Sequence, residues 1–186
     1  MKIRYILCLM SFAAFQGVQA KNEKVLADIV RTEWLKSDAA ITKAYFVDWH
    51  KIFKTVDQNG INVAKFRCSF VEGEKPTSLL SFAIAIARLG SDYQDNEKRA
   101  QGAERAIKTL LEKYLKNNPC AGEDCNMLVM QCLSGIEDHP NLKIVDMLLK
   151  HGARVNEATK NAIRTAYQDE GSPAKEFPHI KAFLAK

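Results

Sequence analysis

The sequence predicts an all-α fold built from helix hairpins, and three observations lead there. Apolar residues recur at helical spacing along most of the chain. These runs stop at residues suited to ending a helix, such as Asn59-Gly60 and Gly152. Hydrophobic content is 47% with only 9 Gly and 5 Pro in 186 residues, enough for one continuous core and no indication of disorder. The clearest stretch is Asn141 to Asn156. Leu142, Val145, Leu148 and Leu149 form one buried stripe there, Lys143, Asp146 and Lys150 are expected to face water, and Gly152 supplies the positive φ that stops the helix.

That stretch resembles the second helix and following turn of an ankyrin repeat, whose usual pattern is Leu-x-Ile-Val-x-x-Leu-Leu closed by Gly-Ala-x-Val-Asn. A single such segment cannot bury its own stripe, so the resemblance implies neighbours stacked on either side. Three more degenerate hairpins can be found. The implied architecture is an ankyrin-like solenoid of about four stacked helix hairpins with irregular finger loops, at roughly 24–57, 77–116, 126–151 and 158–186.

Taken in order, Leu26, Ile29, Val30 and Trp34 share one helical face between Lys24 and Lys36, and Ser37-Asp38 marks a break and a new N-cap. The next helix is expected to begin at once and bury Ile41, Tyr45, Trp49, Ile52, Phe53 and Val56 before the turn at Asn59-Gly60. Both tryptophans fall on apolar stripes and read as core. Asp57-Gln58-Asn59-Gly60 resembles a fragment of a calcium loop, but the ligand positions at its two ends would be Thr55 and Phe66, so it reads as a helix-ending turn. Ile61 to Pro76 is too apolar for a solvated loop; a short hairpin and packing onto the next repeat are both compatible with it.

Thr77-Ser78-Leu79-Leu80-Ser81-Phe82-Ala83 resembles the Thr-Pro-Leu-His-x-Ala-Ala opening of an ankyrin repeat. Ser78 and Leu80 replace its proline and histidine, which puts the family's hydrogen-bond network in doubt here. Gly90 ends that helix. After a polar insertion, Ala103, Ala106, Ile107, Leu110, Leu111 and Tyr114 form the stripe of a longer one. Asn126 to Cys132 occupies the position of the next motif, with Cys132 expected to be buried and Gly135 at the turn. Pro140 suits the first turn of the helix already described. Ala162, Ile163 and Ala166 face inward on the following helix, and Pro178 to Leu184 closes the chain as a short cap.

The N-terminus is a separate object. Lys2 and Arg4 precede an apolar run from Tyr5 to Val18, and Val18-Gln19-Ala20 offers small residues for a signal peptidase. The run falls short of the roughly 20 residues a spanning helix needs, so 1–20 is expected to be a cleaved signal peptide and 21–186 the mature domain. Export would leave Cys68, Cys120, Cys125 and Cys132 in an oxidising compartment. Cys120 and Cys125 close a small loop, for which a disulfide is expected; they fall short of a four-ligand zinc site. Whether Cys68 and Cys132 pair depends on a distance that sequence cannot supply. Loss of Lys2 and Arg4 takes the formal charge from +5 to +3, which calls for no nucleic acid partner. With no Asn-x-Ser/Thr acceptor, a bacterial periplasmic or secreted location is expected.

No catalytic constellation is evident. Gly-x-Ser-x-Gly, His-Glu-x-x-His and phosphate-cradling glycine loops are absent, and the four histidines are dispersed. No metal or cofactor is expected. The resemblance implies a monomeric scaffold that binds another protein through its fingers and first helices. Candidate contacts are Phe66, Arg67 and Phe70 in the first finger, Glu123 and Asp124 in the second, Arg154 and Asn156 in the third, and Leu133 and Ser134 after the helix motif. Phe66 and Phe70 could equally seal the adjacent repeat. The alternative is a structural or small-ligand-binding helical domain of the cell envelope without an ankyrin stack.

Overall fold

The computed structural model describes residues 19–36, 46–69, 75–89, 96–116, 118–134, 140–169 and 177–186. Among these the chain is all-α, with eight helices: α1 (19–36), α2 (Trp49–Asn59), α3 (Leu79–Leu89), α4 (Asn96–Thr109, continued by a π-helical turn at Leu110–Tyr114), α5 (Cys125–Leu133), α6 (Leu142–Lys150), α7 (Glu157–Asp169) and α8 (Pro178–Leu184). No strand occurs among the described residues. The finger at 61–77 closes through an isolated antiparallel bridge in which Cys68 and Thr77 exchange backbone hydrogen bonds of 3.1 and 2.9 Å.

Helix α3 governs the packing because its sequence, LLSFAIAIARL, is apolar on every side and has to be covered all round. Leu79, Leu80, Phe82, Ala83, Ile84 and Ile86 are fully buried, the larger ones contributing about 1.5–3 kcal/mol each. α4 and α5 pack along it. Trp34 of α1 and Trp49 of α2 close on Phe82 with ring centroids at 6.2 and 5.4 Å, which ties the first two helices to the same core. Beyond α3 the neighbours are regular: α5 lies between α3 and α7, α6 touches both α4 and α8, and the pairs α3–α4, α5–α6 and α7–α8 are each in contact. Lys143 on α6 reaches Glu104 on α4 at 2.5 Å.

Helix ends follow local chemistry. Asp48, Asp124, Asn141 and Asn156 each accept a backbone N–H of the turn that follows, at 2.9–3.1 Å. Gly60 (φ 60) and Gly152 (φ 87) adopt the left-handed conformation that ends α2 and α6.

The structure changes three of the readings above. α2 begins at Trp49 behind its cap Asp48, with Phe46 and Val47 non-helical, so this hairpin's second helix is shorter than its periodicity implied. Asp146 does not simply face water: its carboxylate accepts from His179 N (2.8 Å) and Ile180 N (2.9 Å), capping α8 from the middle of α6. The longer helix ends in a π turn, where Leu115 N donates to Leu110 O at 2.9 Å and Leu110, Leu111 and Leu115 are all buried. Residues 1–18 of the expected signal segment, the Ser37-Asp38 break, Ile41, Tyr45, Phe70, Gly90 and Gly135 lie outside the described residues.

Candidate partner-binding surface

The loop at 118–124 brings together three of the predicted contact residues, Arg67, Glu123 and Asp124. Asn118 accepts from Ala121 N through its carbonyl (2.9 Å) and from Gly122 N through its side chain (3.1 Å). This winds Ala121 (φ 51) and Gly122 (φ 73) into consecutive left-handed conformations. The strain at Ala121 is about 1 kcal/mol. The Cys120–Cys125 disulfide, with Cα atoms 5.4 Å apart, closes the curl as expected.

The curl presents the Ala121 carbonyl to Arg67, whose guanidinium donates to it and also to Ala64 O (3.1 Å) and Phe66 O (2.7 Å). Arg67 is therefore a clamp between the first two fingers. Glu123 points the other way, to the start of α3, where its carboxylate accepts from Ser78 N, Ser78 Oγ and Ser81 Oγ, each at 2.7 Å. Ser78 Oγ in turn accepts from Ser81 N at 3.1 Å. Ser78 thus caps α3 locally, and its own N–H, which a capping-box residue three positions on usually satisfies, is taken here by a carboxylate 45 residues away. The Thr77 hydroxyl is buried without a hydrogen-bond partner.

Several predicted contacts thus have internal duties. Phe66 is 1% exposed and belongs to the core, so its ring is not available to a partner. Asp124 caps α5 and Asn156 caps α7, the latter also donating its backbone N–H to Asn126 Oδ1 at 2.8 Å. Arg154 and Ser134 are exposed and Leu133 is half-buried.

Leu133 and Ser134 have company that the sequence reading missed. Met127 and Met130 are 57% and 43% exposed, while Leu128, Val129 and Cys132 of the same helix are fully buried. Met127, Met130 and Leu133 follow one another at steps of three along α5, the two methionines outward and Leu133 partly packed on the core, with exposed Ser134 just past the helix end. Arg88 Nη2 donates to Ser134 O at 2.6 Å at one end of this face; the Asn126–Asn156 bond brings the α6–α7 loop, with Arg154, to the other. A signal was present in the sequence: two methionines three apart on the side of a helix opposite Leu128 and Cys132.

Cys68 and Cys132 are both free and buried. Burial pushes each thiol up to about 12, which keeps them protonated and poor nucleophiles at neutral pH. Among the described residues no group of three or more His, Cys, Asp and Glu side chains could hold a metal ion, and no helix is long and apolar enough to cross a membrane. No family model, curated protein or solved structure matches this chain.

Proposed function

We propose that this chain is an exported, ankyrin-like scaffold that binds another protein, without catalysis of its own, and that the binding face is centred on α5. The observation carrying this reading is the exposure of Met127 and Met130, with half-buried Leu133 and exposed Ser134 beyond them, since polarizable, unbranched methionines suit a surface that repacks against a partner. The stacked reading is supported by the order of contacts, with α3, α5 and α7 in one row and α4, α6 and α8 in another, each helix paired with its sequence neighbour. In such a stack the first row lines the side that usually binds. The location, periplasmic or secreted, follows from the basic and apolar leader ahead of Ala20.

The test uses the chain without residues 1–20 as bait in an envelope extract, with hydrogen-exchange footprinting of the captured complex. A stoichiometric partner that protects α5 and is lost with Met127→Glu and Met130→Glu together is the expected result. Retention by the double variant, or protection elsewhere, would overturn the assignment of this face.

A further inference from the structure

We propose that a second binding site lies in the cleft between the start of α2 and the outer side of α4, and that it takes an acidic peptide segment carrying an apolar side chain. The cleft has a volume of about 480 Å³. One wall is aromatic: Phe46, Trp49 and Phe53, with the Trp49 and Phe53 rings stacked at 6.2 Å. The opposite wall is one face of α4, on which Lys98, Gly102 and Arg105 follow at steps of four and three. Gly102 creates the space between the walls. A Cβ there would already stand 4.0 Å from Trp49 Cδ1 and Nε1, so a longer side chain would fill the cleft. Glycine inside a helix is otherwise unfavourable, which makes the opening notable.

The donors around this cleft are unspent. Among the described residues Lys98, the Arg105 guanidinium and the Trp49 indole N–H have no hydrogen-bond or ion-pair partner, whereas Glu104, Lys108 and Lys113 along the same helix and its π turn are paired. Two free cations beside an aromatic wall complement a carboxylate next to an apolar side chain. The walls are open, with Phe46 47% exposed, and a small-molecule site would enclose most of its ligand. A peptide presented on a larger surface fits better. This site shares no residue with the α5 face and does not depend on it.

The probe is a synthetic peptide alternating glutamate with leucine and phenylalanine, titrated while the indole N–H resonances of Trp49 and Trp34 are followed by NMR. Saturable movement of the Trp49 signal is expected. Lys98→Glu with Arg105→Glu should weaken binding by about tenfold or more, and so should Gly102→Leu, which blocks the cleft and leaves the charges intact. Met127→Glu with Met130→Glu should leave this binding unchanged, separating it from the α5 face. The proposal is overturned if the Trp49 signal stays still at saturating peptide, if the charge-reversed pair binds as well as the parent, if losing the methionines abolishes binding, or if a lysine version of the peptide or oligothymidylate binds as tightly.

Discussion

The loop at 118–124 and the outer face of α5 are consecutive in the chain and opposite in character. The loop is rich in polar and charged groups, yet Glu123 and Asp124 have hydrogen-bond partners inside the protein, as does Arg67, which docks on it. The α5 face offers Met127 and Met130, which touch water over about half their surface and have no structural duty comparable to Glu123. Charge in a loop is therefore a poor guide to recognition in this molecule. Here the charges hold one segment to another, and the surface left unclaimed on α5 is apolar.

The largest effect expected from disturbing this contrast is Glu123→Ala, which strands the N–H and hydroxyl of fully buried Ser78 and removes three charge-assisted bonds. A loss of about 3 kcal/mol is expected in urea denaturation, partly restored by Gln. Opening the Cys120–Cys125 loop by paired Ser substitutions should cost about 2 kcal/mol by the same measurement, because so short a loop restricts the unfolded chain only modestly. Gly122→Ala should cost about 1–2 kcal/mol, since φ is +73° and the new Cβ would stand 3.2 Å from Arg67 Nη2. Truncating Arg67 in that background should recover part of the loss in a double-mutant cycle.

Asp57 sharpens the comparison from another side. It also takes three hydrogen bonds, two from Lys113 Nζ (2.8 and 2.7 Å) and one from Tyr114 Oη (2.9 Å), but on the exposed surface. The hydrogen bond from Lys113, then that from Tyr114, holds its carboxyl below the usual range. A folded pKa below the unfolded one means that the contribution is present above the ordinary carboxylate value of about 3.9 and is lost as pH falls through the lowered value. Asp57→Asn should cost less than any change above, and the difference should shrink in high salt and vanish in strong acid. Smallest of all, polar replacement of Met127 and Met130 should shift stability within about 0.5 kcal/mol while abolishing partner capture. A stability loss as large as that of Glu123→Ala would show that α5 is packed rather than presented.

Much of the local structure was legible. The stripes of α1, α4, α6 and α7, the glycines at 60 and 152, the buried Cys132 and the closed Cys120–Cys125 loop all rest on spacing or on residues close in sequence. Glu33 was not legible: it is 1% exposed on α1 and accepts from Asp48 N at 3.0 Å, and nothing in its spacing separates it from a solvated helix glutamate. Asp146 was misread for the same reason.

The sequence by itself determined where helices form, which side of each is apolar, and where they stop, because those outcomes depend on dihedral preference and periodicity within a few residues. Tertiary structure alone decided the duties of Arg67, Glu123 and Asp146. Arg67 meets Ala121 across 54 positions, Glu123 meets Ser78 across 45 and Asp146 meets His179 across 33. A carboxylate or guanidinium is equally at home in water or on a buried backbone group, and only the arrival of a distant segment determines which it takes.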